Sequence, residues 1–221
     1  MSNYITIALD GPAGAGKSTI ANIIAAKLGM HHLDSGALFR AVAYTAIQNG
    51  VGTKDAEGLA QLLKHTTLSI KIIDGSQHTY VNGTDVSSLI RTQQVGQGAS
   101  DVGTIGVVRN FVTEQVRAMA KAHSLIVDGR DIGSVMLPNA DHKFYLTASV
   151  QERAMRRLNQ LKEMGQDGDY DAIKEEIAQR DHQDANRAIA PLICPKDAIV
   201  IDSTHDTVEE TANKILAILE A

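Results

Sequence analysis

The sequence predicts an α/β protein: a five-stranded parallel sheet flanked by helices, with a small antiparallel inserted subdomain and an arginine-rich helical segment toward the C-terminus. Three observations predict it. Short apolar runs recur at residues 5–9, 30–33, 125–127, 143–146 and 198–201 with helical patterns between them, as in a sheet covered on both faces by crossover helices. The first run enters a glycine-rich turn that opens a helix. Residues 68–73 and 78–81 are β-prone and close enough to pair locally, which breaks the βα rhythm. With 221 residues and 43% hydrophobic content, the chain can bury one good core and is short for two full domains.

The first apolar run ends in Asp10 and leads into Gly11-Pro12-Ala13-Gly14-Ala15-Gly16-Lys17-Ser18-Thr19. Residues 11–18 fit the phosphate-loop pattern G-x-x-x-x-G-K-[ST], and the strand before and helix after it predict a P-loop NTPase fold. Backbone N–H groups and the positive helix end converge where phosphates sit, Lys17 would reach the β- and γ-phosphates, and the Ser18 hydroxyl would ligate Mg²⁺. Ile20, Ile23, Ile24 and Leu28 keep helical spacing and Gly29 suits a C-terminal cap. The second run ends in Asp34, and Asp34-Ser35-Gly36 with Arg40 opens another helix with an anion-receptive end.

The hairpin 68–73/78–81, turning through Asp74-Gly75-Ser76-Gln77, marks an insertion of roughly 40 residues. Residues 94–106 hold four glycines and few large apolar groups, so a mobile connection is expected there. The run at 125–127 leads into Asp128-Gly129-Arg130-Asp131-Ile132-Gly133, where a tight turn projects Arg130 and Asp131 at the sheet edge. Ser149 and Glu152 form a capping-box pattern ahead of Arg153, Arg156 and Arg157, and Asp171 is positioned to cap a second helix running past Arg180. Between the two lies the turn Gly165-Gln166-Asp167-Gly168-Asp169. A helix–loop–helix rich in arginine suits a lid closing over phosphates. Arg180, Asp184 and Arg187, four and three residues apart, share one face of a continuous helix. Thr207 and Glu210 form another capping box, with Val208, Ala212, Ile215 and Leu219 toward the core. Asp10, Asp34, Asp128 and Asp202 all end apolar runs, where they serve either ligands or helix caps and turns.

The net charge of −5, from 21 basic and 26 acidic residues, provides no global field for a long nucleic acid, so an anionic substrate must meet local arginine clusters. Cys194 is the only cysteine; an internal disulfide and a cysteine-rich metal site are excluded, and a buried or inert thiol in a reducing compartment is expected. The eight histidines form no metal-ligand pattern, and there is no G-x-S-x-G elbow. No run is long enough to span a membrane, and the first strand follows the start so closely that no cleavable signal fits, so a cytoplasmic monomer is expected. A phosphate loop alone does not separate a kinase from a P-loop ATPase or a regulatory nucleotide switch without an acceptor; the second site decides.

On residues 11–18, on Leu33-Asp34-Ser35-Gly36-Ala37 with Arg40, on residues 128–133, and on Gln179-Arg180-Asp181 through Asn186-Arg187-Ala188-Ile189-Ala190-Pro191-Leu192, the chain resembles bacterial cytidylate kinases, within the nucleoside monophosphate kinases. The hairpin insert fits that resemblance too. It implies transfer of the ATP γ-phosphoryl group to CMP or dCMP with Mg²⁺, and a single domain with its core at 1–34, 102–150 and 188–221, an acceptor subdomain at 35–101 and a lid at 151–187. It further implies that Ser100, Arg109 and Asp131 recognise cytosine and that Asp184 holds the sugar. Ser35, Arg40, Arg130, Arg180 and Arg187 would surround the acceptor phosphate, and Arg157 would face ATP from the lid. Phe39 stands where the family often has tyrosine, and Ser18 where some members have glycine. Other acceptors, UMP or a small molecule that is not a nucleotide, are the nearer alternatives.

Overall fold

The structure, a computed structural model, describes residues 4–73 and 75–220. A five-stranded sheet has the order β2-β6-β1-β7-β8, formed by β1 (Thr6–Asp10), β2 (His31–Asp34), β6 (Leu125–Gly129), β7 (His142–Thr147) and β8 (Ile199–Asp202). These are the five apolar runs of the sequence, each shifted or extended by a residue or two. Parallel pairing aligns Asp10 with Tyr145 and Thr147 with Asp202, so Asp10 and Asp202 lie at the carboxyl edge of the sheet, where ligands of open α/β folds bind.

The described chain groups into two compact units, one from residues up to 6 together with 29–127, the other from 7–28 with 128 onward. In the first, α2 (Ser35–Gln48) starts where the Asp34 side chain accepts from the Ala37 N–H, and it packs on α4 (Gln93–Val102) and α5 (Gly106–Ala122). Asp55 caps α3 (Ala56–Leu63) in the same way. A three-stranded antiparallel sheet, β3 (Leu68–Ile73), β4 (Ser76–Val81) and β5 (Thr84–Asp85), is the expected insertion. Its first turn is tighter than expected, since Ser76 already pairs with Ile73; Asp74 lies outside the described residues. The third strand was not expected, although Asn82-Gly83, with φ of 49° and 82°, is the Asn-Gly hairpin signal.

Residues 94–106 are not a mobile connection. Thr92 caps α4 by accepting from the Val95 N–H, and Val95, Gly98 and Val102 are buried on it. The segment lacks large side chains because it packs too closely to hold them: a Cβ on Gly98 would lie 3.2 Å from Ala43 Cβ and 3.1 Å from Thr53 Cγ2.

In the second unit α1 (Lys17–Leu28) ends at Gly29, whose φ is +64°, the left-handed cap that glycine adopts without penalty. It packs on α8 (Val208–Leu219), where Thr207 and Glu210 make both bonds of the capping box. Helices α6 (Val150–Glu163) and α7 (Tyr170–Asn186) pair through a small core of Ala154, Leu158, Ile173 and Ile177. Ser149 caps α6, but the Glu152 carboxylate pairs with Arg156 rather than closing the box. Asp169, not Asp171, caps α7, because its carboxylate sits three residues before the Ala172 N–H it accepts from. Cys194 is exposed rather than buried, and partial desolvation holds its thiol above the usual range, which lowers its thiolate fraction. Among the described residues no helix is long and apolar enough to cross a membrane.

The packing of α4 makes opposite predictions for two of its glycines. A Cβ on Gly96 meets nothing within 4 Å, so Gly96→Ala should stabilise the protein by about 0.4–1 kcal/mol. Gly98→Val should destabilise it by about 1–3 kcal/mol through overpacking. Urea unfolding of both variants checks this, and equal responses would contradict the packed helix.

Candidate active site

The phosphate loop belongs to the second unit and begins where β1 ends. Gly11 has φ of +147°, and a Cβ there would lie 1.9 Å from the Leu146 carbonyl oxygen; no other residue fits. Lys17, the first residue of α1, is buried, and its ammonium donates to the Pro12 carbonyl at 2.7 Å. Burial foremost, then the nearby Arg130 guanidinium, pull its pKa from 10.5 to about 7. The Ile20 N–H bonds to the Gly16 carbonyl; N–H groups before it lie at the helix start, where no intrahelical acceptor exists. Ser18 and Thr19 are exposed on that first turn. The Ser18 hydroxyl donates to Asp128 Oδ2 at 2.8 Å.

Asp128 and Asp10 are both buried, and they do different things. Asp10 accepts from the Ile132 and Gly133 N–H groups at 2.7 Å each, fixing the turn that carries Arg130 and Asp131. Burial raises its pKa to about 6 against the pull of those two N–H groups. Asp34 and Asp202 take the structural alternative: Asp34 caps α2, and Asp202 organises a turn by accepting from the Thr204 N–H and hydroxyl.

Around the turn after β6 the charges alternate. Arg130 Nε donates to Asp184 Oδ2 at 2.8 Å, Arg187 Nη2 donates to Asp131 Oδ1 at 2.9 Å, and Arg187 Nη1 lies 3.8 Å from Asp184 Oδ1. Arg187 does not share a helix face with Arg180 and Asp184. Helix α7 ends at Asn186, and Arg187 is extended, with φ −65° and ψ 140°. Leaving the helix lets its guanidinium reach Asp131 while its Nε donates to the Ala190 carbonyl. Arg180 is exposed on α7 and adds to the positive field at Lys17.

The arginines of α6 divide in a way their spacing does not reveal. Arg157 is exposed and donates to Gln160 on its own helix. Arg153, only 4% exposed, reaches the phosphate loop, donating to the Ala13 carbonyl at 2.9 Å while pairing with Asp181 at 2.6 Å. Arg156 approaches the Ala15 carbonyl at 3.4 Å and holds the Ser203 carbonyl at 2.6 Å.

In the first unit, Ser35 is buried at the start of α2, and Arg40 Nη2 pairs with Asp34 Oδ2 at 2.6 Å. Arg40 Nε is buried without a hydrogen-bond partner among the described residues, an orphan donor suited to an oxyanion. Gln77, on β4, accepts from the Asp34 N–H at 2.7 Å and so ties the hairpin to the helix start; nothing in its surroundings in the sequence marks it. Arg109, buried on α5, donates to the Gly103 carbonyl at 2.9 Å and lies over the Phe39 ring at 5.4 Å. Phenylalanine thus serves as the face for a cation here. Ser100 is half-buried on α4.

No group of three or more His, Cys, Asp or Glu among the described residues lies together as a metal cage. The paired oxygens of Ser18 and Asp128 instead suit Mg²⁺, which takes one or two protein oxygens and completes its shell from phosphate and water. The loop, its cations and these oxygens therefore fit a magnesium–nucleotide complex.

Three comparisons bear on what this arrangement is. The family model described as cytidylate kinase matches residues 7–221. The cytidylate kinase of Caldicellulosiruptor bescii is 45% identical over 96% of this chain and 94% of its own length. That of Pseudomonas aeruginosa PAO1 is 44% identical over 95% and 93%. Among solved structures, a sugar kinase from Janibacter superposes with a TM-score of 0.50 at 14% identity, covering 98% of this chain and 95% of that one, a likeness of fold alone.

The depressed pKa of Lys17 has a consequence for stability. Between about pH 7 and 10.5 the unfolded chain carries a proton that the folded chain lacks. The penalty for burying Lys17 is therefore complete below pH 7 and declines as pH rises toward 10.5. Lys17→Met removes it, so the variant's gain in melting temperature over wild type should be larger at pH 6 than at pH 9. A gain that does not vary with pH would contradict this account.

Proposed function

The chain belongs to the cytidylate kinase family, and on that footing we propose that it transfers the γ-phosphoryl group of Mg·ATP to CMP or dCMP, giving ADP and CDP or dCDP. The observation that carries this reading is the second set of charges beside the phosphate loop. Arg130, Asp131, Asp184 and Arg187 interlock at the turn after β6, while Arg130 and Arg180 are close enough to bear on Lys17. An ATPase or switch without an acceptor has no use for it.

In the proposed mechanism the loop N–H groups and Lys17 hold the β- and γ-phosphates of ATP, and Ser18 and Asp128 would hold Mg²⁺, which when bound would supply neutralisation of developing charge. The polyanion restores the proton to Lys17. Ser35, Arg40, Arg130, Arg180 and Arg187 are assigned to the acceptor phosphate, Ser100, Arg109 and Asp131 to cytosine, and Asp184 to the sugar. An oxygen of the acceptor phosphate attacks the γ-phosphorus as its bond to the β–γ bridging oxygen breaks. The nucleophile is already anionic, so no side-chain base is required. Asp131 can accept from the exocyclic amine of cytosine, which uracil lacks. The segment 151–187, including Arg157, is assigned to a lid that excludes water; α6 and α7 have a small core of their own, as a moving body requires.

ADP formation from Mg·ATP, measured separately with CMP, dCMP, UMP, AMP, GMP and no acceptor, tests the proposal. Release that depends on CMP or dCMP is expected, and equal release without an acceptor overturns it. Arg130→Ala should raise KM for CMP by about tenfold or more, the loss of one charge-assisted contact, with KM for ATP nearly unchanged. An unaltered KM for CMP would remove Arg130 from the acceptor site.

A further inference from the structure

We propose that Arg153 and Arg156 are positioning residues that set the orientation of the phosphate-loop peptides from outside the loop. In a trans peptide the C=O and the following N–H point in opposite directions, and the described chain has no cis peptide bonds. Arg153 holds the Ala13 carbonyl at 2.9 Å, so the Gly14 N–H is directed away from α6. Arg156 approaches the Ala15 carbonyl at 3.4 Å, which directs the Gly16 N–H the same way. These are N–H groups of the loop that cradles phosphates.

Such peptides need an external hold. Gly14 and Gly16 have φ of +74° and +89°, and glycine enters and leaves that region at little cost. Without an anchor on the carbonyl, an Ala–Gly peptide can turn its N–H out of the cradle. Helix α6 is close enough to supply the anchor: a Cβ on Gly14 would lie 3.3 Å from Arg153 Cβ.

The surroundings of Arg153 show a geometry specified at a cost. Its buried guanidinium spans three segments, donating from Nε to the Ala148 carbonyl at 2.9 Å and from Nη1 to both Ala13 and Asp181. Asp181 Oδ1 is nevertheless buried with no hydrogen-bond partner among the described residues. An incompletely satisfied buried ion pair is a poor source of stability. Asp181 follows Arg180 on α7 and precedes Asp184 by three residues, so one guanidinium links the donor loop to the helix carrying acceptor-site residues.

This inference rests on the donor reading above, and its test separates the two. Arg153→Lys keeps the charge but loses the planar fork, Arg156→Gln removes the second anchor, and Asp181→Asn breaks the ion pair while leaving the Arg153–Ala13 bond. Each would be compared with wild type for melting temperature, for Mg·ATP affinity by calorimetry, and for KM of CMP and kcat at saturation. Arg153→Lys and Arg156→Gln are expected to weaken Mg·ATP binding by about tenfold with KM for CMP nearly unchanged. Asp181→Asn is expected to lower the melting temperature and keep Mg·ATP affinity near wild type. If the arginine variants lose only melting temperature, as a purely structural pair would, the positioning role is overturned. A wild-type protein with no affinity for Mg·ATP would overturn the donor reading, and this inference with it.

Discussion

The carboxylate of Asp10 is the constraint on which the chemistry of the second unit depends. It is the last residue of β1, so its position is set by the sheet, and the next residue is the obligatory glycine of the phosphate loop. Its two oxygens accept from Ile132 and Gly133, the N–H groups immediately after Arg130 and Asp131. A single buried side chain therefore fixes the separation between the phosphate loop and the turn that bears the arginine–aspartate array. Phosphoryl transfer is mostly a matter of positioning and charge neutralisation, and a rigid link of this kind contributes to both. A shorter or neutral side chain leaves one of the N–H groups buried and unpaired, a cost of about 1–3 kcal/mol.

Charge is the second organising element. The chain as a whole is acidic, yet burial foremost, and then the Arg130 guanidinium beside it, draw the pKa of Lys17 down to about 7. Aspartates are the counter-ions of two neighbouring arginines, with Asp184 on Arg130 and Asp131 on Arg187. On the proposed reading an acceptor phosphate joins guanidinium groups that internal carboxylates already hold, so part of their desolvation is complete beforehand. That is the preorganisation which makes oriented charges effective in a closed site.

Features that depend on local stereochemistry were legible in the sequence. The five strands, the phosphate loop, the left-handed Gly29 and the Thr207–Glu210 box follow from patterns a few residues long, whose physics is complete within them. What was misread depends on neighbours distant in sequence. Glycines in α4 look like a flexible joint until Ala43 and Thr53 are known to press against Gly98. Arg153 and Arg157 look equivalent at a spacing of four, and only the fold shows that one is buried on the loop and the other exposed. Arg187 was placed on the helix of Arg180, whereas the helix stops one residue earlier. Gln77 carries no signal, because an amide matters only through the backbone groups it meets. For Arg153 and Arg157 the element was identified and its partner was not, whereas for the α4 glycines, Arg187 and Gln77 the element itself was misread.

The interlocking of Asp131 with Arg187 gives the proposed base selectivity a route to the phosphate. A carboxylate has more acceptor sites than one guanidinium bond uses, so Asp131 can keep Arg187 on Oδ1 and still accept from an exocyclic amine. With cytosine the acid stays paired on both sides, and Arg187 stays where its contacts with Ala190 and Asp184 hold it. A carbonyl at that ring position offers no proton and sets a lone pair against the carboxylate, which must move or take up a proton. Either response disturbs Arg187, an arginine assigned to the acceptor phosphate. Discrimination between bases on this reading is expressed in the alignment of the attacking oxygen as well as in binding, because the group that reads the base also holds the group that orients the nucleophile.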